Sequence, residues 1–444
     1  MAQAEGISEV PKTLWRAARD SFFSATPNVG AEQTMFVVFL VIVLLSYLGY
    51  VIYTAVQKSR APPIMSPDNV ALVQGQREAV IKGYTELVGD KSLSDLMKNL
   101  AEGEKYLVNL CPLTASLGGY IGAGDTGVFY SSFYLQNALR AGIRSFVLPI
   151  SVYYDDNKRP PSWPMSGNPA VVARDGQGKI ISLNGISVKD FCTDLMRYNS
   201  LNPTQSSEPI LLFILEDKGY VPDKVSDEKK YAELLSKLAR DLDVIPTNTR
   251  LTTIGGYGSA VGSQNEANIL TQVPLSQLQG KVLIFTDFDT TIGLKPTYSG
   301  LGPTLSTYTN FTLKPVISKN ADLSVGTGAR SIGIKDISGS KVNWTDQART
   351  VIHASTHDHN LTIPEHTEVE GALNSGIQVI PIPFYTNDRN EPLKVIWDLW
   401  KGYAWRLKQP AARYLKPDPV VPAKPSAKMN ARVDANLQPG QMNV

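Results

Sequence analysis

Short apolar runs alternating with amphipathic stretches fill most of the chain from Tyr106 onward. The runs fall at 106–111, 146–152, 170–173, 210–215, 281–285 and 377–382. Between them, 131–141, 188–198 and 229–242 repeat apolar residues at the three- and four-residue spacing of helices with one buried face. Buried strands alternating with helices predict an α/β fold whose parallel sheet is covered on both faces. Residues 105–420 in that pattern fit one (β/α)8 TIM-type barrel better than two separate domains. The stretch 298–343, rich in Gly, Ser and Thr and poor in helical spacing, reads as a loop-rich insertion.

One run departs from this texture. From Met35 to Val56 there is no charge and no Pro, and at 1.5 Å per residue such a run matches the roughly 30 Å apolar core of a bilayer. Tyr47, Tyr50 and Tyr53 gather toward its end, and Lys58 and Arg60 follow as polar stops. The pattern predicts a single transmembrane helix over 35–57, with the lipid bilayer as partner and a single-pass membrane location. Its orientation stays open. Around it, 1–34 form an N-terminal segment with an amphipathic patch at Trp15, Phe22 and Phe23. Residues 58–104 read as a helical spacer, opened by Ser66-Pro67-Asp68. The tail 421–444 has little apolar content and reads as extended or disordered.

Composition removes several functions. The 444 residues are 43% hydrophobic, which excludes wholesale disorder, and a net charge of +2 is too small for a whole-surface attraction to nucleic acid or anionic lipid, leaving only local patches. Two cysteines, Cys111 and Cys192, are too few for a disulfide framework or a zinc knot. Gly255-Gly256-Tyr257-Gly258 lacks the following Lys of a phosphate loop, and there is no nucleophile elbow or His-Glu protease pair. No cofactor and no nucleic-acid partner is expected.

Three clusters hold candidate chemistry. All four histidines lie within fourteen residues, and His353, His357 and His359 beside Asp358 have the spacing and nitrogen donors for a divalent metal; a polar loop gives the same pattern. Glu216, Asp217, Asp287 and Asp289 close the runs 210–215 and 281–285. Carboxylates there could bind a metal for hydrolysis, with Glu216, Asp287 and Asp289 as the catalytic set; acids at strand ends also cap helices and anchor loops. Trp397, Trp400 and Trp405 suit an interface, or the core face of a final helix.

The order of several fragments resembles a known family. Ser116-Leu117-Gly118-Gly119-Tyr120-Ile121, the helix-to-strand stretch from Tyr134 to Arg144, Glu208-Pro209-Ile210-Leu211-Leu212 with Glu216, and Leu278-Gln279-Gly280-Lys281-Val282-Leu283-Ile284 follow one another. Gly376-Ile377-Gln378-Val379 with Thr386, and Tyr414-Leu415-Lys416-Pro417, come later. In this order they resemble eukaryotic-type phosphoinositide-specific phospholipase C, with 106–289 similar to its X region and 350–417 to its Y region. The resemblance implies a distorted (β/α)8 barrel.

The chemistry that the resemblance implies is missing from the matching positions. The family's general base falls on Leu117, its general acid near Ala173, Arg174 and Asp175, and its calcium ligands on Gly118, Val147 and Pro149. Its phosphate-binding lysines fall on Phe285 and Asp287, leaving Glu216 as the one matched carboxylate. The expectation is a membrane-anchored, catalytically silent barrel that binds other proteins through its surface and C-terminal tail. A link between the internal membrane and the capsid of a large DNA virus suits that layout. The alternatives are a hydrolase with its site moved to the carboxylates and histidines, and a module that binds lipid headgroups without turnover.

Overall fold

The computed structural model describes residues 38, 40–51, 67–98, 100–122, 127–154, 167–175, 177–202, 204–251, 253–254, 257–258, 269–315, 328–333, 344–355, 361, 363–385 and 390–417. The chain divides into two compact units, Met1–Ser66 and Pro67–Val444. In the first, residues 38 and 40–51 are helical, with exposed side chains such as Leu44, Leu45 and Tyr47. The expected transmembrane helix is corrected here. No helix among the described residues is long and apolar enough to cross a membrane. A crossing needs about 20 consecutive apolar helical residues, and no described helix supplies them.

The second unit is built on a curled, mostly parallel sheet. Among the described residues the unit's strands are β1 (Leu110–Pro112), β2 (Thr114–Ala115), β3 (Tyr120–Gly122), β4 (Gly127–Phe129), β5 (Ser145–Val152), β6 (Pro169–Ala170), β7 (Ile210–Glu216), β8 (Thr253–Ile254), β9 (Tyr257–Gly258), β10 (Val282–Thr286), β11 (Phe311–Pro315), β12 (Gly328–Ile332), β13 (Val351–Ser355) and β14 (Trp405–Leu407). The sheet runs β13-β12-β11-β10-β7-β5-β2, with β6 antiparallel to β5. Three antiparallel pairs, β1–β14, β3–β4 and β8–β9, lie outside it.

A regular (β/α)8 barrel is therefore corrected to this curled sheet. β2 is two residues long, and the run 377–382 forms no ladder. It touches the sheet edges through isolated bridges, Ala354 to Val379 and Ala115 to Ile382. Between β10 and β11 the connection is three 3-10 turns rather than a helix, at Ile292–Leu294, Pro296–Leu301 and Leu305–Thr307. β11 and β12 lie inside the stretch expected to be an insertion. Their sequences, FTLKP and GARSI, carry too few apolar residues to announce a buried strand.

Strand periodicity of two sorts the core into two layers. Leu211, Phe213 and Leu215 of β7 share one cluster with Leu283 and Phe285 of β10, Phe311 and Leu313 of β11, and Ile352 and Ala354 of β13. Residues from so many strands meet only on the concave side of the curl. Phe213, Phe285 and Phe311 stack there with centroids 4.5 and 4.4 Å apart, each pair contributing roughly 0.5–1.5 kcal/mol beyond its buried area. The alternate residues, Ile210, Leu212 and Ile214, pack outward under the helices.

Those helices follow the sequence closely. Ser131–Arg140, Val188–Tyr198 and Glu228–Leu242 occupy the expected stretches, and the Ser187 side chain caps the second by accepting from the Asp190 amide. Within the stretch expected as a spacer, the helix Pro67–Tyr84 belongs to the same compact unit as the sheet and buries Val73, Val80 and Tyr84. Trp400 and Trp405 are buried in the core, and the half-buried Trp397 packs against it. Trp397 donates to the Ala141 carbonyl at 2.9 Å and Trp400 to that of Cys111 at 3.0 Å.

Candidate functional site

The C-terminal ends of β5, β7 and β10 carry the polar groups expected at a barrel's catalytic face. Consecutive residues at the end of β7 part company. Asp217 has the parity of Leu215 and turns toward the inside of the curl. There its Oδ2 meets Arg174 Nε at 2.9 Å and accepts from the Ser151 hydroxyl. Both charged side chains are nearly inaccessible, at 7% and 9% exposed. The remaining Arg174 donors reach the Gly178 carbonyl at 3.0 Å, Ser151 Oγ at 3.2 Å and the Tyr153 hydroxyl. The guanidinium lies 3.4 Å from the centre of the Tyr220 ring. Every guanidinium nitrogen has a partner, so this group is spent on holding the loops together.

Glu216 turns the other way, under the helix Glu228–Leu242. The Tyr231 hydroxyl on that helix donates to Glu216 Oε1 and accepts from the Asp289 amide at 2.8 Å. Asp287 Oδ1 accepts from the Glu216 amide at 2.7 Å. Tyr231 thus links the Glu216 carboxylate to the Asp289 backbone, and the Asp287 carboxylate sits on the Glu216 backbone. Burial pushes the Asp287 carboxyl up to about 7, and the Glu216 carboxylate adds to that push. Burial raises Glu216 as well, against the Tyr231 hydroxyl. Asp289 shifts down, because the Thr291 hydroxyl donates to it at 2.6 Å, and Lys224 lies 3.6 Å away. The pair Glu216 and Asp287 can hold a proton near neutral pH. Tyr231 gave no signal of its own in the sequence beyond lying on the buried face of an amphipathic helix.

The histidines do not join this group. His353 sits on β13, three strands from β10 in the sheet order, fully buried and edge-on to Trp344 with centroids 5.6 Å apart. Burial holds its imidazole down at about 3, so it stays neutral. His357 and His359 lie outside the described residues, and His366 opens the helix His366–Asn374. Among the described residues no group of three or more His, Cys, Asp or Glu is arranged to hold a metal ion.

Four of the positions that the phospholipase resemblance assigns to chemistry, Leu117, Gly118, Val147 and Pro149, are buried. Leu117, in place of the general base, is 2% exposed and holds a left-handed φ of 48°. At Gly118 a Cβ would come within 2.9 Å of the Phe191 ring and 3.0 Å of Leu148. Val147 and Pro149 are buried strand residues without a side-chain oxygen. Calcium needs six to eight oxygen ligands, so these residues do not fit it. Asn310, the first residue of an Asn-Phe-Thr glycosylation sequon, is 3% exposed and its amide holds Ile284 and Leu251 backbone groups. It is not a glycan acceptor in this fold.

No protein-family model and no curated protein matches the chain. Solved structures similar to it are phospholipases C. PLC21 of L. pealei is 14% identical with a TM-score of 0.48, over 71% of this chain and 39% of that one. PLC21 of S. officinalis is 13% identical with a TM-score of 0.48, over the same shares. A calcium-dependent phosphoinositol-specific phospholipase C from a Gram-negative bacterium, Pseudomonas sp, is 14% identical with a TM-score of 0.42, over 71% of this chain and 99% of that one. The chain spans about two-fifths of the length of the two PLC21 structures.

Proposed function

We propose that this protein is a phospholipase C-like barrel without phosphoinositide turnover, retained as a structural or interaction protein. The observation that carries the reading is the closed packing at Leu117 and Gly118, where the phospholipase resemblance puts the base and a calcium ligand. Proton transfer needs a titratable group within hydrogen-bond reach of the reacting oxygen, and buried aliphatic and aromatic carbon fills that place. The Arg174–Asp217 pair supports the same reading, since every guanidinium nitrogen and the Asp217 Oδ2 are already engaged inside the protein. A fold can keep its core and change its work when surface and stability are what matter. Its partners on this reading are other proteins, met through the barrel surface and the C-terminal tail, in an assembly such as the capsid of a large DNA virus. The test is hydrolysis of phosphoinositide and glycerophosphodiester substrates by the purified chain, with and without calcium. We expect no turnover above the buffer rate. Cross-linking mass spectrometry on the native protein tests the assembly, and neighbours confined to small metabolite enzymes would count against it.

A second reading is favoured by one observation, the raised Asp287 carboxyl beside Glu216. A hydrolase with a relocated site would use this pair as its proton donor and acceptor, with Asp289 as the third member. Turnover in the same assay that disappears in Asp287→Asn and persists in Asp217→Asn would establish it and overturn the first.

A further inference from the structure

On the outer face of the sheet, three nitrogen-bearing side chains stand in one row across β11, β12 and β13. Lys314 is in register with Arg330, and Arg330 with His353. Their chain neighbours Leu313, Ala329 and Ile352 belong to the concave core, so the two-residue alternation of a strand turns Lys314, Arg330 and His353 the other way. Adjacent strands lie about 4.8 Å apart, which puts the whole row within roughly 10 Å.

The row runs from solvent into the protein. Lys314 is exposed, Arg330 half-buried and His353 fully buried. The helices that cover β5 and β7 have no counterpart between β10 and β11, where the connection is 3-10 turns. At the other end Trp344 closes over His353, edge-on.

The charges in this row are unbalanced. Among the described residues no carboxylate pairs with Lys314 or Arg330, although like charges directly opposite one another on adjacent strands repel. Asp346, on the helix Trp344–Gln347, lies 3.4 Å from Arg349 instead. Both ring nitrogens of His353 are buried without a hydrogen-bond partner, an arrangement that costs free energy until an acceptor arrives. The buried Lys408 is tied to the Ala348 carbonyl. Burial first, then the charges of Lys408 and Arg330, keeps the His353 imidazole neutral, and a neutral imidazole has one N–H to donate. Two unpaired cations and a desolvated N–H, with no acid among them, match the donor needs of an oxyanion such as phosphate.

We propose that this row is a phosphate-binding site, in which Lys314 and Arg330 hold the phosphate oxygens and His353 donates its N–H at the buried end. A bound phosphate offsets the repulsion between the two cations and gives the imidazole an acceptor. The site stands whether or not the Glu216 and Asp287 pair performs any hydrolysis.

The test is binding of inorganic phosphate to the full chain by calorimetry, with chloride at matched ionic strength as reference. Flotation with phosphatidylcholine vesicles, with and without phosphatidate, runs beside it. Saturable binding is expected, weakened roughly tenfold or more in Lys314→Gln and in Arg330→Gln. It should be unchanged in Lys82→Gln, an exposed lysine of the helix Pro67–Tyr84. Neither Lys314→Gln nor Arg330→Gln should lower the thermal midpoint without phosphate, because each removes a cation that has no partner; this separates lost binding from lost folding. The His353 imidazole resonance, identified by its absence in His353→Gln, is expected to shift with phosphate and not with chloride. Flotation that requires phosphatidate and is lost in the same two variants assigns the phosphate to a lipid headgroup. Binding of the free ion without flotation assigns it to a soluble ligand. Absence of both, equal binding by wild type and Arg330→Gln, or an imidazole resonance that phosphate leaves in place overturns the proposal.

Discussion

Glu216 and Asp217 are adjacent at the end of one strand, yet they live in opposite electrostatic surroundings. Asp217 faces into the curl and is tied to a fully engaged arginine. Glu216 faces the helix layer, where its close partners are a tyrosine hydroxyl and a second carboxylate. The first neighbourhood neutralises charge with charge; the second relies on hydrogen bonds and on holding protons. The difference follows from the two-residue period of the strand, which sends one side chain to each face. Position at a strand end is thus no guide to role until the covering element is known. A loop that brings Arg174 makes a lock, and a helix that brings Tyr231 makes a proton-holding cluster.

The comparison breaks most visibly at the lock. Asp217→Ala leaves the Arg174 charge buried without its counterion, at a cost of roughly 3–5 kcal/mol. We expect a large drop in the urea midpoint, with much of it recovered in the double variant Arg174→Met, Asp217→Leu, because a matched apolar pair removes both charges. Glu216→Ala should cost clearly less, since no buried cation is orphaned. Equal losses for the two would erase the distinction. Next in size is Gly118→Ala. Its new methyl would press on Phe191 and Leu148, and overpacking of this kind costs about 1–3 kcal/mol. A neutral result in thermal melts would mean that the packing around Gly118 is looser than its contacts indicate. Smaller again is Tyr231→Phe, which removes one hydroxyl from Glu216 and from the Asp289 amide. A loss of about 1 kcal/mol is expected in denaturant titrations, and loss of less than a few tenths would make that hydrogen-bond chain incidental.

How much of this was legible in the sequence differs by layer. The apolar runs at 210–215 and 281–285 became β7 and β10 almost residue for residue, because a strand buried on both faces needs continuous apolar character. β11 and β12 escaped because Thr312, Lys314, Arg330 and Ser331 interrupt that character, and their pairing is set by neighbouring strands instead. The run from Met35 to Val56 was apolar enough to suggest a bilayer span, but no helix among the described residues is long and apolar enough to be one. Within the site, the nearness of the β7 and β10 ends that carry Glu216 and Asp287 was legible from the order of the strands. The separation of His353 from them was not, since closeness in sequence among four histidines says nothing about which face of β13 one of them takes. The pairing of Arg174 with Asp217 joins residues 43 positions apart, and only the folded loop reveals it.

The remaining test separates the two neighbourhoods by proton count. Asp287 rises from an ordinary 3.8 to about 7 in the folded protein. Between those values the folded state binds a proton that the unfolded chain has already released. Stability therefore falls as pH rises through that window, the contribution being full below pH 3.8 and lost by pH 7. Glu208, raised by burial from 4.5 to about 7, and Asp241, raised to about 6, slope the same way. Asp287→Asn should thus flatten the decline between pH 4 and 7 without abolishing it, and adding Glu208→Gln should flatten it further. The measurement is the urea midpoint at half-unit pH steps for the three proteins. An unchanged slope in Asp287→Asn would mean that this carboxyl is ionised like an ordinary surface acid, and the Glu216 side of β7 would then hold no proton for either function to use.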